Sequence, residues 1–214
     1  KVMSLPCLTT NEVYYCRQLS VYNLGIHDLK NDNAVMNVWH EGTASRGAGE
    51  IGSCLLAYCQ NLANRAITSI TAFSDSCGGQ NRNIKIALLW MHLTQTTSIE
   101  LVNHKFMVSG HSYLPNDADF GIIERAKPKS TEIFVPEQWY KLIENCSMKK
   151  RFSVARLSTD NFKSVEPLLK LITNRKVDES DQKVNWLDMQ WLQLRKNKPY
   201  KLFFKYSLDD DASF

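Results

Sequence analysis

The sequence predicts a mixed α/β fold with a basic extension towards the carboxyl end of the chain. Three observations support this: two strand-like runs open the chain, apolar helices and strands then alternate, and the composition changes after Pro128. Strands that alternate with helices are expected to be parallel and central in their sheet. We therefore expect a mixed sheet flanked by helices over residues 1–128 and a basic α+β extension, packed on that core, over residues 129–214.

A β-hairpin is predicted first, because residues 18–28 and 34–39 are rich in β-branched and aromatic side chains and flank the turn cluster 30–33. Apolar residues at helical spacing then predict a helix over 51–62, with glycines at its start rather than in its interior. The apolar run 67–73 predicts a buried strand that ends abruptly in a polar, glycine-rich loop.

The remaining elements follow from the same periodicities. We predict helices over 84–94, 117–126, 135–146 and 162–173, strands over 98–108 and 200–206, and a charged loop over 174–183, and we leave 186–194 unassigned. Pro128 ends the third of the helices, and Pro136 suits the first turn of the next one. The run 200–206 alternates apolar and basic residues, which is typical of an edge strand.

Composition limits the class of protein. The hydrophobic fraction of 43% and the charged fraction of 22% are ordinary for a globular domain, and no apolar run reaches the length of a membrane span. The 6 cysteines form no CxxC pair and no zinc-ligand spacing, so we expect core thiols in a reducing compartment rather than disulfides. We expect no membrane partner.

Charge is distributed unevenly along the chain. Residues 1–148 carry 12 Lys/Arg and 13 Asp/Glu, whereas residues 149–205 carry 14 and 6, and three aspartates follow at 209–211. A near-neutral first part with a basic second part indicates a polyanionic partner, although a solvated lysine surface would give the same pattern.

Several acids stand where metal-dependent phosphoryl transfer would need them. Glu50 opens the first predicted helix, Asp75 ends a predicted strand, and Asp117 and Asp119 open a later helix. Mg²⁺ and Mn²⁺ prefer such oxygen ligands, and the predicted topology lets these acids gather at one sheet edge. Capping explains Asp117 and Asp119 equally well, and Glu50 also suits a solvated helix start. Asp75 is harder to explain structurally, because a carboxylate that leaves an apolar strand needs a partner.

Four sequence blocks resemble a family of uncharacterised, transposon-derived domains that looks like a branch of the RNase H-like, DDE-type transposase superfamily. The blocks are YNLGIH at 22–27, SRGAGEIGSCL at 45–55, SDSCGGQNRN at 74–83 and GHSYLPNDADF at 110–120. The block at 74–83 is the most specific, and the resemblance weakens beyond Pro128. It implies an RNase H-like fold and a metal-dependent DNA nuclease or transposase, expected in the nucleus and compatible with a homodimer.

The resemblance also implies roles for individual residues. Glu50 matches the acid of the first helix, Asp75 the acid that ends the fourth strand, and either Asp117 or Asp119 the last acid. His111 would lie nearby as a proton shuttle or phosphate contact, or equally as a structural hydrogen-bonding residue. The acid of the first strand would precede Val2, so we expect that strand to be truncated or missing, and Asp28 is the other early candidate, although turns commonly contain aspartate.

Nucleic-acid contacts are predicted in two places. The glycines after Asp75 allow close backbone approach, and Gln80, Asn81 and Arg82 can donate to phosphates or bases. The second set lies among aromatic residues of the basic region and comprises Lys149, Lys150, Arg151, Arg195, Lys196 and Lys198. DNA, or RNA, is the expected partner. The alternative hypotheses are a domesticated, inactive RNase H-like scaffold that binds nucleic acid or protein, and an adaptor with a basic face.

Overall fold

The computed structural model describes residues 1–8, 17–108, 113–127, 132–149, 151–170, 172, 176–212 and 214. In these residues the chain forms eight strands and five α-helices. In chain order they are β1 (Val2–Leu5), β2 (Leu19–Asp28), β3 (Asn33–His40), α1 (Ala48–Ala63), β4 (Ser69–Ser74), α2 (Ile84–Thr96), β5 (Leu101–Phe106), α3 (Pro115–Ala126), α4 (Pro136–Asn145), β6 (Phe152–Arg156), α5 (Glu166–Leu169), β7 (Trp191–Arg195) and β8 (Phe203–Lys205).

The chain folds into two compact units, each made from two segments. The first unit comprises residues 1–46 and 113–162, and the second comprises 47–112 and 163–214. Each unit contains one mixed four-stranded sheet, which confirms the mixed α/β class, although one sheet was expected. The region beyond residue 129 supplies β6 to the first sheet and β7 and β8 to the second. The predicted domain boundary near residue 128 stays a prediction.

The sheet of the first unit has the order β1-β2-β3-β6, antiparallel except for the parallel pair β3–β6. The predicted hairpin is confirmed as β2 and β3. Asp28 closes its turn, because Oδ1 accepts hydrogen bonds from the backbone N–H of Lys30 (2.9 Å) and Asn31 (3.3 Å). Burial raises the pKa of Asp28, but these bonds and one from the Asn31 side chain outweigh it and leave the pKa below its usual value.

Helices α3 and α4 pack against this sheet, α3 on β2 and α4 on β3 and β6. Both were predicted, and both begin at a proline, whose missing N–H costs nothing at the first helical position. Their apolar sides join the strands in a core that includes Val38, Trp139 and Ile143. Trp139 is buried in this core.

The sheet of the second unit has the order β4-β5-β7-β8, with β4 and β5 parallel and the other neighbours antiparallel. Helix α2 contacts β5, β7 and the helices α1 and α5. The predicted helices α1 and α2 are confirmed, but α1 begins earlier than expected, so that Gly49 lies in its first turn and Gly52 in its interior. Gly52 has a packing reason, because a Cβ there would lie 3.1 Å from the Leu89 side chain.

Some elements differ from the prediction for physical reasons. β4 is an edge strand whose alternate side chains are exposed, including Phe73, so it is not the buried strand that its apolar run predicted. Only Glu166–Leu169 is helical in the described part of 162–173, where Pro167 suits a helix start rather than an interior. The first strand was expected to be truncated or missing, and β1 has four residues. β6 was not predicted, because a five-residue strand carries little periodicity. β8 is an edge strand, as expected, but a shorter one.

The five described cysteines are free thiols, in agreement with the expectation of no disulfide framework, and Cys16 lies outside the described residues. Cys54 and Cys59 are buried, and burial raises the pKa of each thiol to about 12. Among the described helices, none combines the length and apolar character that crossing a membrane requires.

The core of the first unit gives a direct stability test. Ile143 has no exposed surface, so we expect Ile143→Ala to lower the free energy of unfolding by about 2–5 kcal/mol. Leu29 is 61% exposed, so the control Leu29→Ala should change it by less than about 0.5 kcal/mol. Urea unfolding followed by far-UV circular dichroism measures both, and equal effects would contradict this assignment of the core.

Candidate functional site

Asp75 follows directly on β4 and is exposed at the carboxyl end of that strand. Its Oδ1 atom accepts hydrogen bonds from the backbone N–H of Cys77 (3.2 Å) and from Nδ2 of Asn81 (2.7 Å). Among the described residues Oδ2 accepts none. The loop therefore orients the carboxylate through one oxygen, and the other oxygen remains available to solvent or to a ligand.

A chain of hydrogen bonds, which runs from the buried side of the sheet to the exposed end of β4, fixes the backbone at Asp75. Nε1 of Trp90 donates to Nδ1 of His104 (3.1 Å), so the proton of a neutral His104 lies on Nε2. Nε2 lies 2.9 Å from Oγ of Ser74 and donates to it, and Oγ donates in turn to the carbonyl oxygen of Asp75 (2.9 Å). Three side chains from β4, β5 and α2 thus hold the end of the strand.

His104 is fully buried, and burial lowers its pKa to about 3. A charged imidazole at this position would have to be desolvated, so the ring stays neutral over the physiological range. The neutral imidazole fits this series of hydrogen bonds, because one ring nitrogen accepts from Trp90 and the other donates to Ser74. His104 is therefore a positioning residue for Asp75. It was not identified from the sequence.

The loop after Asp75 is held mainly by bonds within the second unit. Arg82 donates through Nη1 to the carbonyl oxygen of Leu187, and its guanidinium lies 5.3 Å from the centre of the Phe106 ring. Burial lowers the pKa of Arg82, although Asp188 acts in the opposite direction. Asn81 is bonded to Asp75, and Gln80 is half-buried. Of the three residues predicted to contact nucleic acid, Arg82 thus has the clearest structural role.

Glu50 caps helix α1, since its Oε2 accepts from the backbone N–H of Gly47 at 3.0 Å. Asp117 does the same for α3, since Oδ2 accepts from the N–H of Leu114 at 2.9 Å. Asp117 is nevertheless exposed. Glu50 and Asp75 belong to the second unit, and Asp117 and Asp119 to the first. Their predicted convergence at one sheet edge stays a prediction.

Asp119 is the centre of a buried polar cluster in the first unit. Its side chain is 0% exposed, with Oδ1 2.5 Å from Nη2 of Arg151 and Oδ2 2.7 Å from Nδ1 of His27. A carboxylate only accepts, so Nδ1 of His27 donates. Exposed Asp32 completes the cluster, 3.4 Å from both Nε2 of His27 and Nη1 of Arg151. The cluster joins β2, the β2–β3 turn, α3 and the residue before β6.

Both oxygens of Asp119 are therefore engaged, which does not fit a metal ligand, whereas Oδ2 of Asp75 has no hydrogen-bond partner within the described part of the chain. From the sequence no role was assigned to His27, which lies on a strand 92 residues from Asp119. In the described parts of the chain, histidine, cysteine and acidic side chains form no group of three or more arranged to hold a metal ion.

The predicted basic contacts fall into three groups. Lys149 and Lys198 are exposed. Arg151 is bonded to Asp119, Lys196 donates to the carbonyl oxygen of Thr97 (2.7 Å), and the guanidinium of Arg195 lies 4.3 Å from the centre of the Phe203 ring. His111 and Lys150 lie outside the described residues.

Compared with protein-family models, curated proteins and solved structures, the chain has no significant match. The resemblance to transposon-derived RNase H-like domains therefore stays a prediction from the sequence blocks.

The neutral state of His104 predicts a pH dependence of stability. Its pKa of about 3 lies below the ordinary 6.5, so the unfolded chain takes up the proton first and acid destabilises the fold. Relative to His104→Gln, which keeps one donor and one acceptor, the unmodified protein should lose about 1.4 kcal/mol per pH unit below about pH 6.5. Urea unfolding from about pH 7 to about pH 4 measures this difference. Parallel pH profiles for the two proteins would contradict it.

The cluster around Asp119 predicts a contrast between two aspartates that share the same partners. Asp119→Asn leaves Arg151 without its buried counter-charge and should cost about 3–5 kcal/mol of unfolding free energy. Asp32 is 67% exposed, so Asp32→Asn should cost no more than about 1 kcal/mol. Urea unfolding at neutral pH compares them, and a small effect of Asp119→Asn would remove the proposed structural role.

Proposed function

We propose that this chain is part of an RNase H-like, transposase-derived nuclease that cleaves or transfers DNA strands with Mg²⁺ or Mn²⁺. The observation that carries the proposal is the Asp75 carboxylate, which is exposed at the end of a strand parallel to its neighbour and which the described residues hold through one oxygen only. In sheets with parallel strands, functional residues gather at this end. The sequence block around Asp75 is also the most specific part of the family resemblance.

The proposal assigns metal binding to Asp75, Glu50 and Asp117. Of the two candidates for the last acid, Asp117 is favoured, because it is exposed and Asp119 is buried between Arg151 and His27. When bound, Mg²⁺ or Mn²⁺ would stabilise the charge that develops on the attacking and leaving oxygens. Within the chain, His104 and Ser74 hold the Asp75 backbone, and Asn81 orients its carboxylate.

A second candidate function is a domesticated RNase H-like scaffold that binds nucleic acid without cutting it. It is favoured by the other roles of the acids, since Glu50 and Asp117 cap helices and Asp119 holds a buried cluster. Both functions use the basic residues between 149 and 205 as phosphate contacts, and both predict an affinity that falls with salt. DNA is the proposed partner and the nucleus the proposed location.

Asp75→Asn tests the nuclease function. The amide keeps an oxygen that can accept from Cys77 and Asn81 but removes the charge, so the fold should be retained and cleavage should fall by at least about a hundredfold. Nicking of supercoiled plasmid in Mg²⁺ or Mn²⁺ measures the rate, using the longest natural chain that contains residues 1–214. Asp178→Asn, in an exposed turn of the same unit, is the matched control.

Unchanged cleavage by Asp75→Asn would remove Asp75 from the mechanism. Absence of cleavage by the unmodified protein, together with salt-dependent DNA binding, would overturn the nuclease function in favour of the scaffold. Equal loss in both variants would mean that the charge of Asp75 has no special role.

A further inference from the structure

One face of the second sheet carries basic, aromatic and amide side chains, although it lies opposite the apolar core. Cross-strand pairing places Lys105 beside Trp191 and Trp191 beside Lys205, and it places Asn103 beside Gln193 and Gln193 beside Phe203. The intervening residues Leu192 and Phe204 point to the other face and join the apolar cluster. Successive residues of a strand alternate between faces, so this arrangement follows from the register.

The cations on this face stack on aromatic rings. Nζ of Lys105 lies 3.7 Å from the centre of the Trp191 ring, and Nζ of Lys205 lies 4.5 Å from it. Arg195 lies over Phe203 at 4.3 Å. Nε1 of Trp191 donates to Oδ1 of Asn103 (2.9 Å), which fixes the orientation of the indole. Ordered aromatic rings flanked by cations are the arrangement with which proteins bind single-stranded nucleic acids.

An acidic segment of the same chain covers this face. Oδ1 of Asp210 lies 3.0 Å from Nζ of Lys105, and the carbonyl oxygens of Asp209 and Asp210 each lie 3.2 Å from Nζ of Lys205. The Phe214 ring meets the Trp191 ring edge-on, with 5.0 Å between centres, and also lies 4.3 Å from Nζ of Lys205. Lys205 and Trp191 are buried beneath these contacts.

The acids and Phe214 present anionic and carbonyl oxygens to the lysines and an aromatic ring to the tryptophan. These are the groups that a strand of nucleic acid would present as phosphates and bases. Beside the covered part, a hollow of about 630 Å³ is open, and its lining includes Gln193, Arg195 and Lys196. Part of the surface is therefore accessible without any movement of the acidic segment.

We infer that this face of β5, β7 and β8 binds single-stranded nucleic acid and that residues 209–211 inhibit it by occupying the phosphate positions. The inference deepens the proposed function, since it takes nucleic acid as the ligand, but it needs no metal and no cleavage. Binding displaces the acidic segment, and the apparent affinity is reduced by the fraction of molecules in which the segment is bound.

Neutralising the acidic segment tests the inhibition. Binding of a fluorescein-labelled oligothymidylate, followed by fluorescence anisotropy in EDTA, should tighten about tenfold in the triple variant Asp209→Asn, Asp210→Asn, Asp211→Asn. The matched control is Asp178→Asn, Glu179→Gln, Asp181→Asn, which removes the same charge from a turn of the same unit. The control should change the affinity by less than about twofold.

If both triple variants bind the oligonucleotide equally more tightly, the effect is one of net charge and the inference is overturned. The inference is also overturned if the variant of residues 209–211 binds no more tightly than the unmodified protein. Lys105→Gln, introduced into the first triple variant, then tests the surface itself. Loss of the Lys105 charge should lower the slope of log affinity against log salt concentration by about one, between about 50 and 200 mM salt. Lys170→Gln, an exposed control in the same unit, should leave the slope unchanged.

A duplex of the same length tests the identity of the ligand. Stacking on Trp191 and Phe203 requires unpaired bases, so the single strand should bind more tightly than the duplex. Equal or tighter binding of the duplex would overturn the assignment to single strands. Because the assays contain EDTA, their failure leaves the role of Asp75 in cleavage untouched, and failure of the Asp75 test leaves this surface untouched.

Discussion

A polar side chain that leaves water must find its hydrogen-bond partners inside the protein, and this constraint organises both units. In the first unit the Asp119 carboxylate has no exposed surface. Arg151 supplies its counter-charge, and Arg151 and His27 supply its hydrogen-bond donors. These three residues come from segments far apart in the chain. Their arrangement therefore depends on the simultaneous placement of β2, α3 and the start of β6.

The same constraint acts in the second unit through His104. Trp90 is only a donor, so it selects the tautomer of His104, and His104 in turn donates to Ser74 at the end of β4. The consequence reaches the surface, because Ser74 binds the carbonyl group of the candidate metal ligand Asp75. A buried neutral histidine thus holds the backbone at the position where the proposed chemistry takes place.

Contacts within the protein, rather than composition, also determine which charged side chains are free to bind a ligand. Of the basic residues after 148, Arg151 neutralises a buried acid, and Lys205 lies between an aromatic ring and backbone carbonyl groups. The aspartates 209–211, which lower the net charge of the basic region, include two that are bonded to lysines of the second sheet. A net charge by itself would have shown neither contact.

Local spacing in the sequence was sufficient to predict the hairpin, the helices α1 to α4, the edge strand β8 and the exit of Asp75 from a strand. These features depend on the backbone geometry of a few consecutive residues, which periodicity reports directly. Only the tertiary structure distinguished Asp119 from Asp117, made β4 an edge strand and brought Asp209 and Asp210 onto Lys105 and Lys205. Burial, strand pairing and ion pairs depend on residues distant in the chain, and the spacing of neighbours carries no information about them.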